Sequence, residues 1–176
     1  MPHIRVTQGT IDYRDQGDGP PIVFIHGLLV DGHVWDPVVA RLSDRARCIV
    51  PELPLGSHRI PMADDADLTP PGLARLIAEL LERLELTDVT LVANDTGGAL
   101  AQLAAAHHRE RIARLVLTNC DAFENFPPAS FRPLIKALAR VPGAVAALGF
   151  GGRFAFVRRA SMKAMPLTVD PVPTSC

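Results

Sequence analysis

Apolar residues along this chain fall into short unbroken runs set between turn-forming clusters, and these runs alternate with segments of helical periodicity. His3–Thr7 and Thr10–Arg14 read as two short strands with Gly9 as the turn between them. Gly17–Pro21 (GDGPP) breaks the chain, because glycine and proline punctuate turns. Ile22–Ile25 is a continuous apolar run, as a strand buried on both faces requires. A glycine-bearing loop, HGLLVDGHVW, follows, then a short helix from about Asp36 to Leu42. Cys48–Val50 is a further apolar core strand, ending in PELPLG.

The strongest helical signal comes next. Leu73, Leu76, Ile77, Leu80, Leu81 and Leu84 recur at helical spacing and form one wide apolar stripe. Thr69 suits the cap and Pro70 the first helical position. Val89–Ala93 is another buried strand, followed by a sharp turn at Asn94–Gly98, a helix through about His107, and a strand at Ile112–Leu117. Strand and helix in alternation predict an α/β fold, a mostly parallel sheet with helices on both faces. Residues 1–123 are assigned to this core.

After Phe123 the character changes, and residues 124–176 are assigned to the start of a second, helical unit. ENFPPASFRP is a linker with three prolines. Val141–Gly152 is apolar but short, holds Pro142 and four glycines, and is flanked by Arg140 and Arg153. It reads as an irregular helical segment rather than a membrane span. PLTVDPVPTSC carries no element signal.

Composition narrows the function classes. The 176 residues are 48% apolar and 21% charged, as in a globular domain able to bury a core. Lys+Arg is 18 against 19 Asp+Glu, and the sixteen arginines are scattered among acids. A net charge of −1 offers no basic field for nucleic acid or an anionic membrane. Cys48, Cys120 and Cys176 are odd in number and lack CxxC or Cys/His spacing, which argues against a disulfide framework or zinc site and fits a reducing compartment. MPHIRVTQGT has no signal-peptide core, and no stretch of ~18 apolar residues could span a bilayer. A soluble, cytoplasmic protein acting on a small molecule, without metal or cofactor, is the expectation.

Two segments carry the candidate chemistry. One is strand Ile22–Ile25 running into His26-Gly27-Leu28. The other is strand Val89–Ala93 running into Ala93-Asn94-Asp95-Thr96-Gly97 and a helix. The second has the small-x-nucleophile-x-small spacing of a nucleophile elbow, where strand and helix backbones nearly touch and only small residues fit two places either side. Gly98 eases the same approach.

In these motifs the chain resembles the α/β-hydrolase superfamily, and in particular the branch whose elbow carries aspartate, which includes haloalkane dehalogenases and epoxide hydrolases. The resemblance runs from Thr10 to about Phe123. It rests on His26-Gly27 after the strand, Trp35 at the mouth of the next helix, NDTGGALAQ at the elbow and RLVLTN on the following strand. It implies a hydrolase acting on a small organic substrate, with Asp95 as nucleophile. A carboxylate is already ionised at neutral pH, so it can displace a leaving group at saturated carbon and form an alkyl ester. The free N–H groups and dipole of the helix N-terminus stabilise that anion. The backbone N–H groups of Leu28 and Thr96 would form the oxyanion hole, serving when water attacks the ester. His26, Gly27, Gly97 and Gly98 are implied as structural at the site. The alternative for Asp95 is a helix cap.

Departures from the family pattern shape the rest of the reading. The family's chain order is nucleophile, acid, histidine. The base histidine and the last strands of the fold are expected to be missing here, so the chain reads as C-terminally truncated. The position some dehalogenases use for the acid is Asn119, with Asp121 two residues on as a candidate acid. His33 and His58 sit in loops at the same end of the sheet. His107 and His108 lie roughly 15 Å along the helix from Asp95, too far to act as base. Thr96 stands where dehalogenases carry a halide-holding tryptophan, and the only tyrosine, Tyr13, is on an early strand. Ser57 and Ser161 lie outside any elbow. A catalytically inactive or partner-binding remnant of such a hydrolase is the alternative function. The strand at Ile112–Leu117 is expected to leave an apolar edge open to self-association.

Overall fold

The computed structural model describes residues 1–120 together with Lys136 and Arg140. Two units divide the chain, Met1–Pro127 and Pro128–Cys176, and the described fold belongs to the first. The linker, the Val141–Gly152 segment, Asp121 and Ser161 lie outside the described residues.

Six strands form one sheet: β1 (His3–Val6), β2 (Gly9–Gln16), β3 (Pro21–Ile25), β4 (Arg47–Pro51), β5 (Val89–Asn94) and β6 (Ile112–Cys120). The helices are α1 (Asp36–Leu42), α2 (Pro70–Arg83) and α3 (Asp95–His107). The spatial order is β1-β2-β4-β3-β5-β6. β1 pairs antiparallel with β2 and β2 with β4, whereas β3 pairs parallel with β4 and β5, and β5 parallel with β6.

Side-chain alternation explains why the central strands read as unbroken apolar runs. Val23 and Ile25 of β3, Ile49 of β4 and Leu91 and Ala93 of β5 pack with α2 and α3 on one face. Phe24, Cys48 and Val50 face the opposite way, onto Trp35 and Val39 of the α1 side. Both faces are covered, so both sets of alternating positions must be apolar.

Helix α2 forms as its stripe predicts. Leu73, Leu76, Ile77, Leu80 and Leu81 are buried, and the Thr69 hydroxyl accepts the Gly72 N–H at 3.3 Å. Each such leucine contributes roughly 1.5–3 kcal/mol by leaving water. Leu80, fully buried, anchors the helix, and its truncation to alanine would cost about 2–5 kcal/mol. In α3 the residues facing the core include Gly97, Gly98, Ala101 and Ala104, whose small size lets this helix lie close to the sheet.

Boundaries differ modestly from those read in the sequence. β6 extends through Cys120, and two 3-10 turns appear, Gly32–Trp35 and Arg109–Arg111. The first falls in the segment whose sequence predicts a loop. Asp31 caps it, accepting the His33 N–H at 3.0 Å, a local bond that no hydrophobic period reports.

The topology fixes where a ligand can sit. The chain leaves β3 toward β4 through α1 on one face, and leaves β5 toward β6 through α3 on the other. At adjacent strands whose connections depart in opposite directions, a crevice opens at the carboxyl ends. His26, Gly27 and Asp95 follow directly on those ends.

Candidate active site

Strand β5 ends at Asn94 and α3 begins at Asp95, so strand passes directly into helix and the turn expected over Asn94–Gly98 is taken up by the two elements. Asp95 has φ +50°, a left-handed conformation that a non-glycine residue adopts at a cost of order 1–3 kcal/mol and that clusters at functional positions. The tip of β6 supports it through a bridge between Asp95 and Cys120. The Thr118 hydroxyl and the Cys120 thiol each donate to the Ala93 carbonyl at 3.3 Å.

The capping alternative for Asp95 does not match the geometry. Asn94 occupies the N-cap position, without a side-chain cap bond, and Asp95 is exposed in the first turn. The N–H groups of that first turn, Thr96 included, have no partner within the helix.

Three glycines set how closely the elbow packs. A Cβ at Gly27 would fall 2.2 Å from Asp95 Oδ2, so the carboxylate lies directly against that backbone. A Cβ at Gly97 would fall 2.4 Å from the His26 carbonyl oxygen, and one at Gly98 would fall 2.0 Å from Cys120 Sγ. The start of α3 therefore lies against the His26 backbone at the end of β3 and against the Cys120 side chain at the end of β6. Leu28 follows Gly27 in this cluster, half exposed. No hydrogen bond takes its N–H among the described residues, whereas the next N–H, of Leu29, donates to the Leu55 carbonyl at 2.9 Å.

His26 is fully buried and both ring nitrogens are engaged. Nδ1 lies 2.9 Å from the Gly27 carbonyl, which can only accept, and Nε2 accepts the Leu53 N–H at 3.0 Å. These two bonds select the neutral ring protonated at Nδ1. The ring links the loop after β3 to the loop after β4. His33 is exposed and engaged with Asp31 at 3.0 Å. His107 ends α3 and His108 is its C-cap. All six histidines lie among the described residues, and none comes within 4.0 Å of the Asp95 carboxylate. Asn119 is exposed with φ +46°. Tyr13 packs against the core from β2, and Ser57 lies in the loop after β4.

Two residues next to this cluster carried no signal in the sequence. Glu52, just past β4, accepts the Gly32 N–H with both carboxylate oxygens at 3.1 Å. Arg14, from β2, donates to the Gly32 carbonyl at 2.6 Å and pairs with Asp36. Glu52 follows an apolar strand in PELPLG and Arg14 sits at a strand end, positions where a charge ordinarily faces water. Only the pairing of β2 with β4 brings them onto one glycine.

Comparison with known proteins agrees with this architecture. Residues 20–141 match the model of the alpha/beta hydrolase fold family. The chain is 35% identical over 140 residues, 74% of its length and 46% of the relative's, to a cis-3-alkyl-4-alkyloxetan-2-one decarboxylase of Xanthomonas campestris. It is 32% identical over 147 residues, 80% of its length and 46% of the relative's, to a haloalkane dehalogenase of Mesorhizobium japonicum. Among solved structures, a hydrolase from Pseudomonas aeruginosa superposes with a TM-score of 0.67 at 25% identity, covering 90% of this chain and 62% of that one. The chain spans about half the length of the curated relatives it matches. With its parallel sheet, its elbow at the end of β5 and this match over more than half its residues, the chain belongs to the α/β-hydrolase fold family.

Proposed function

We propose that Asp95 is a nucleophile that attacks saturated carbon and forms an alkyl ester, as the first half of a hydrolytic reaction on a small organic substrate. The observation that carries this reading is the Asp95 carboxylate held at φ +50° against the Gly27 backbone. Leu28 follows Gly27 and Thr96 follows Asp95, and no hydrogen bond takes the Leu28 N–H among the described residues, which supports these two N–H groups as the oxyanion hole. In the reaction one carboxylate oxygen bonds to the substrate carbon as the carbon–halogen or carbon–oxygen bond breaks, and the electron pair leaves with the departing group. When the ester carbonyl is later attacked, its oxygen becomes an anion that the two N–H groups can hold.

Substrate class follows from shared chemistry. The relatives are named for haloalkanes and alkyloxetan-2-ones. Both carry a saturated carbon bound to a leaving group, a halide in one and the ring carboxylate oxygen in the other. The exposed Leu28, Leu29 and Val30, in the loop that follows Gly27, suit an alkyl chain.

No histidine of this chain stands at Asp95, so water attacking the ester has no base among these residues, and the ester accumulates. Incubation with a 1-haloalkane, or with a cis-dialkyl oxetan-2-one, should add one alkyl group to the peptide containing Asp95, read by mass spectrometry. Asp95→Asn should abolish the adduct. Alkylation elsewhere, or steady release of product over many turnovers by this chain, would overturn the mechanism.

A further inference from the structure

We propose that Glu52, assisted by Arg14, is a positioning residue for the loop that presents the Leu28 N–H to Asp95, an inference that rests on the nucleophile reading above. The loop from Gly27 to Gly32 joins β3 to the 3-10 turn before α1, and its backbone is fixed at three points. At its start the His26 ring ties the Gly27 carbonyl to the Leu53 N–H. In its middle the Leu29 N–H bonds the Leu55 carbonyl, and Leu29 takes φ +61°. At its end Gly32 is gripped on both polar groups, its N–H by Glu52 and its carbonyl by Arg14.

The end clamp fits too closely to be incidental surface pairing. A Cβ at Gly32 would meet Val50 Cγ1 at 2.6 Å, Glu52 Oε1 at 2.7 Å and Arg14 Nη2 at 3.1 Å. Gly32 is buried, and the side chains of Glu52 and Arg14 are 11% and 16% exposed. Charge-assisted bonds to a buried peptide group are the stronger kind. Glu52 also lies 4.0 Å from His26 Nε2, so the clamp and the starting tie belong to one cluster at the end of β4. Leu28 lies between them, its N–H without a partner among the described residues.

The consequence for chemistry is selective. Forming the ester removes negative charge from Asp95, whereas attack on the ester carbonyl creates an oxyanion, and only the second event draws strongly on a correctly placed Leu28 N–H. Loosening the loop should slow the second event far more than the first.

Hydroxylamine reads the second event without needing a base from the protein. Its nitrogen attacks the Asp95 ester carbonyl, the oxyanion collapses, the bond to the alkoxy oxygen breaks, and the alcohol departs with a proton from nitrogen, leaving a hydroxamate on Asp95. In Glu52→Ala, alkylation by a 1-haloalkane should stay within about twofold of the native rate, while hydroxylamine cleavage slows by roughly ten- to a hundredfold. Glu52→Gln keeps an acceptor for the Gly32 N–H and should recover most of the loss. Arg14→Ala, which frees the Gly32 carbonyl, should show the same split if Glu52→Ala does not fold. Native cleavage in the variants, or an equal slowing of both steps with Gln no better than Ala, overturns the proposal. If the native chain takes no alkyl group at Asp95, the nucleophile reading fails, and amide exchange decides the loop: faster exchange at residues 27–32 in Glu52→Ala, with native exchange in Glu52→Gln and in β5, supports the clamp, and unchanged exchange overturns it.

Discussion

The Asp95 carboxylate and the Gly27 backbone occupy the same small space, and a Cβ at Gly27 would fall 2.2 Å from Oδ2 and 2.7 Å from the Asp95 Cβ. A methyl group there must push the carboxylate away, because the elbow backbone behind it is pinned to β3. Gly27→Ala should therefore lower the rate of Asp95 alkylation by about a hundredfold or more. The carboxylate can swing toward water, since Asp95 is exposed, but its Cβ moves only with the pinned backbone, so the variant should also lose about 1–3 kcal/mol of stability through overpacking. Native alkylation kinetics in this variant would show that the carboxylate does not need the position it takes against Gly27.

Gly97 and Gly98 are neighbours with different obstacles, and this separates their behaviour. The group facing Gly97 is the His26 carbonyl oxygen, whereas Gly98 faces the Cys120 side chain. Each alanine substitution should destabilise by about 1–3 kcal/mol through overpacking. Cys120→Gly should relieve the cost of Gly98→Ala in the double variant, and should leave the cost of Gly97→Ala unchanged. Denaturant midpoints of the three single and two double variants check this; identical coupling of Cys120 to both glycines would contradict the geometry.

Asp67 gives the fold a defined acid sensitivity. Its carboxyl is held below its ordinary value of 3.8, first by the Thr69 hydroxyl and then by the Thr69 N–H, with Arg75 adding to the effect. The hydroxyl lies 2.5 Å and the N–H 3.0 Å from Oδ1. A lowered folded value means that the stabilisation is fully present above the ordinary value and is lost as pH falls through the lowered one. Melting curves of the native chain and of Asp67→Asn should differ by a constant amount above about pH 4, and the difference should shrink below it. A difference that ignores pH would exclude this carboxylate as the source.

Strand β6 is the outer strand of the sheet among the described residues, with Val116 and Leu117 each about two-fifths exposed. We propose that a second copy of the chain pairs there. An antiparallel pairing centred on Val116 sets Arg114 against Thr118 and Leu115 against Leu117, so no like charges meet. Sedimentation should show concentration-dependent dimers that Val116→Lys suppresses; a strictly monomeric native chain would refute the pairing.

Most elements were legible in the sequence for one reason, the covering of the sheet on both faces. That covering makes β3, β4 and β5 unbroken apolar runs and makes α2 a leucine stripe closed by the Thr69 cap, and each pattern is local. The elbow was legible too, since Asn94-Asp95-Thr96-Gly97-Gly98 must carry small residues where strand and helix touch. Gly32–Trp35 was not, because the Asp31 side-chain cap and the distant Glu52 and Arg14 hold that turn, and none of these leaves a hydrophobic period. Glu52 and Arg14 were not, because a charged residue next to a strand end has the same local pattern whether it faces water or grips a distant peptide group.

The sequence alone determined the order of strands and helices, the α/β class and the identity of the elbow residue, since these depend on periodicity and residue size over a few neighbours. Only the tertiary structure decided that Asp95 lies against Gly27, that His26 spends both nitrogens joining two loops, and that Gly32 is held from β2 and β4. Those contacts join residues dozens of positions apart through the pairing of strands, and pairing between distant strands leaves no period in either one.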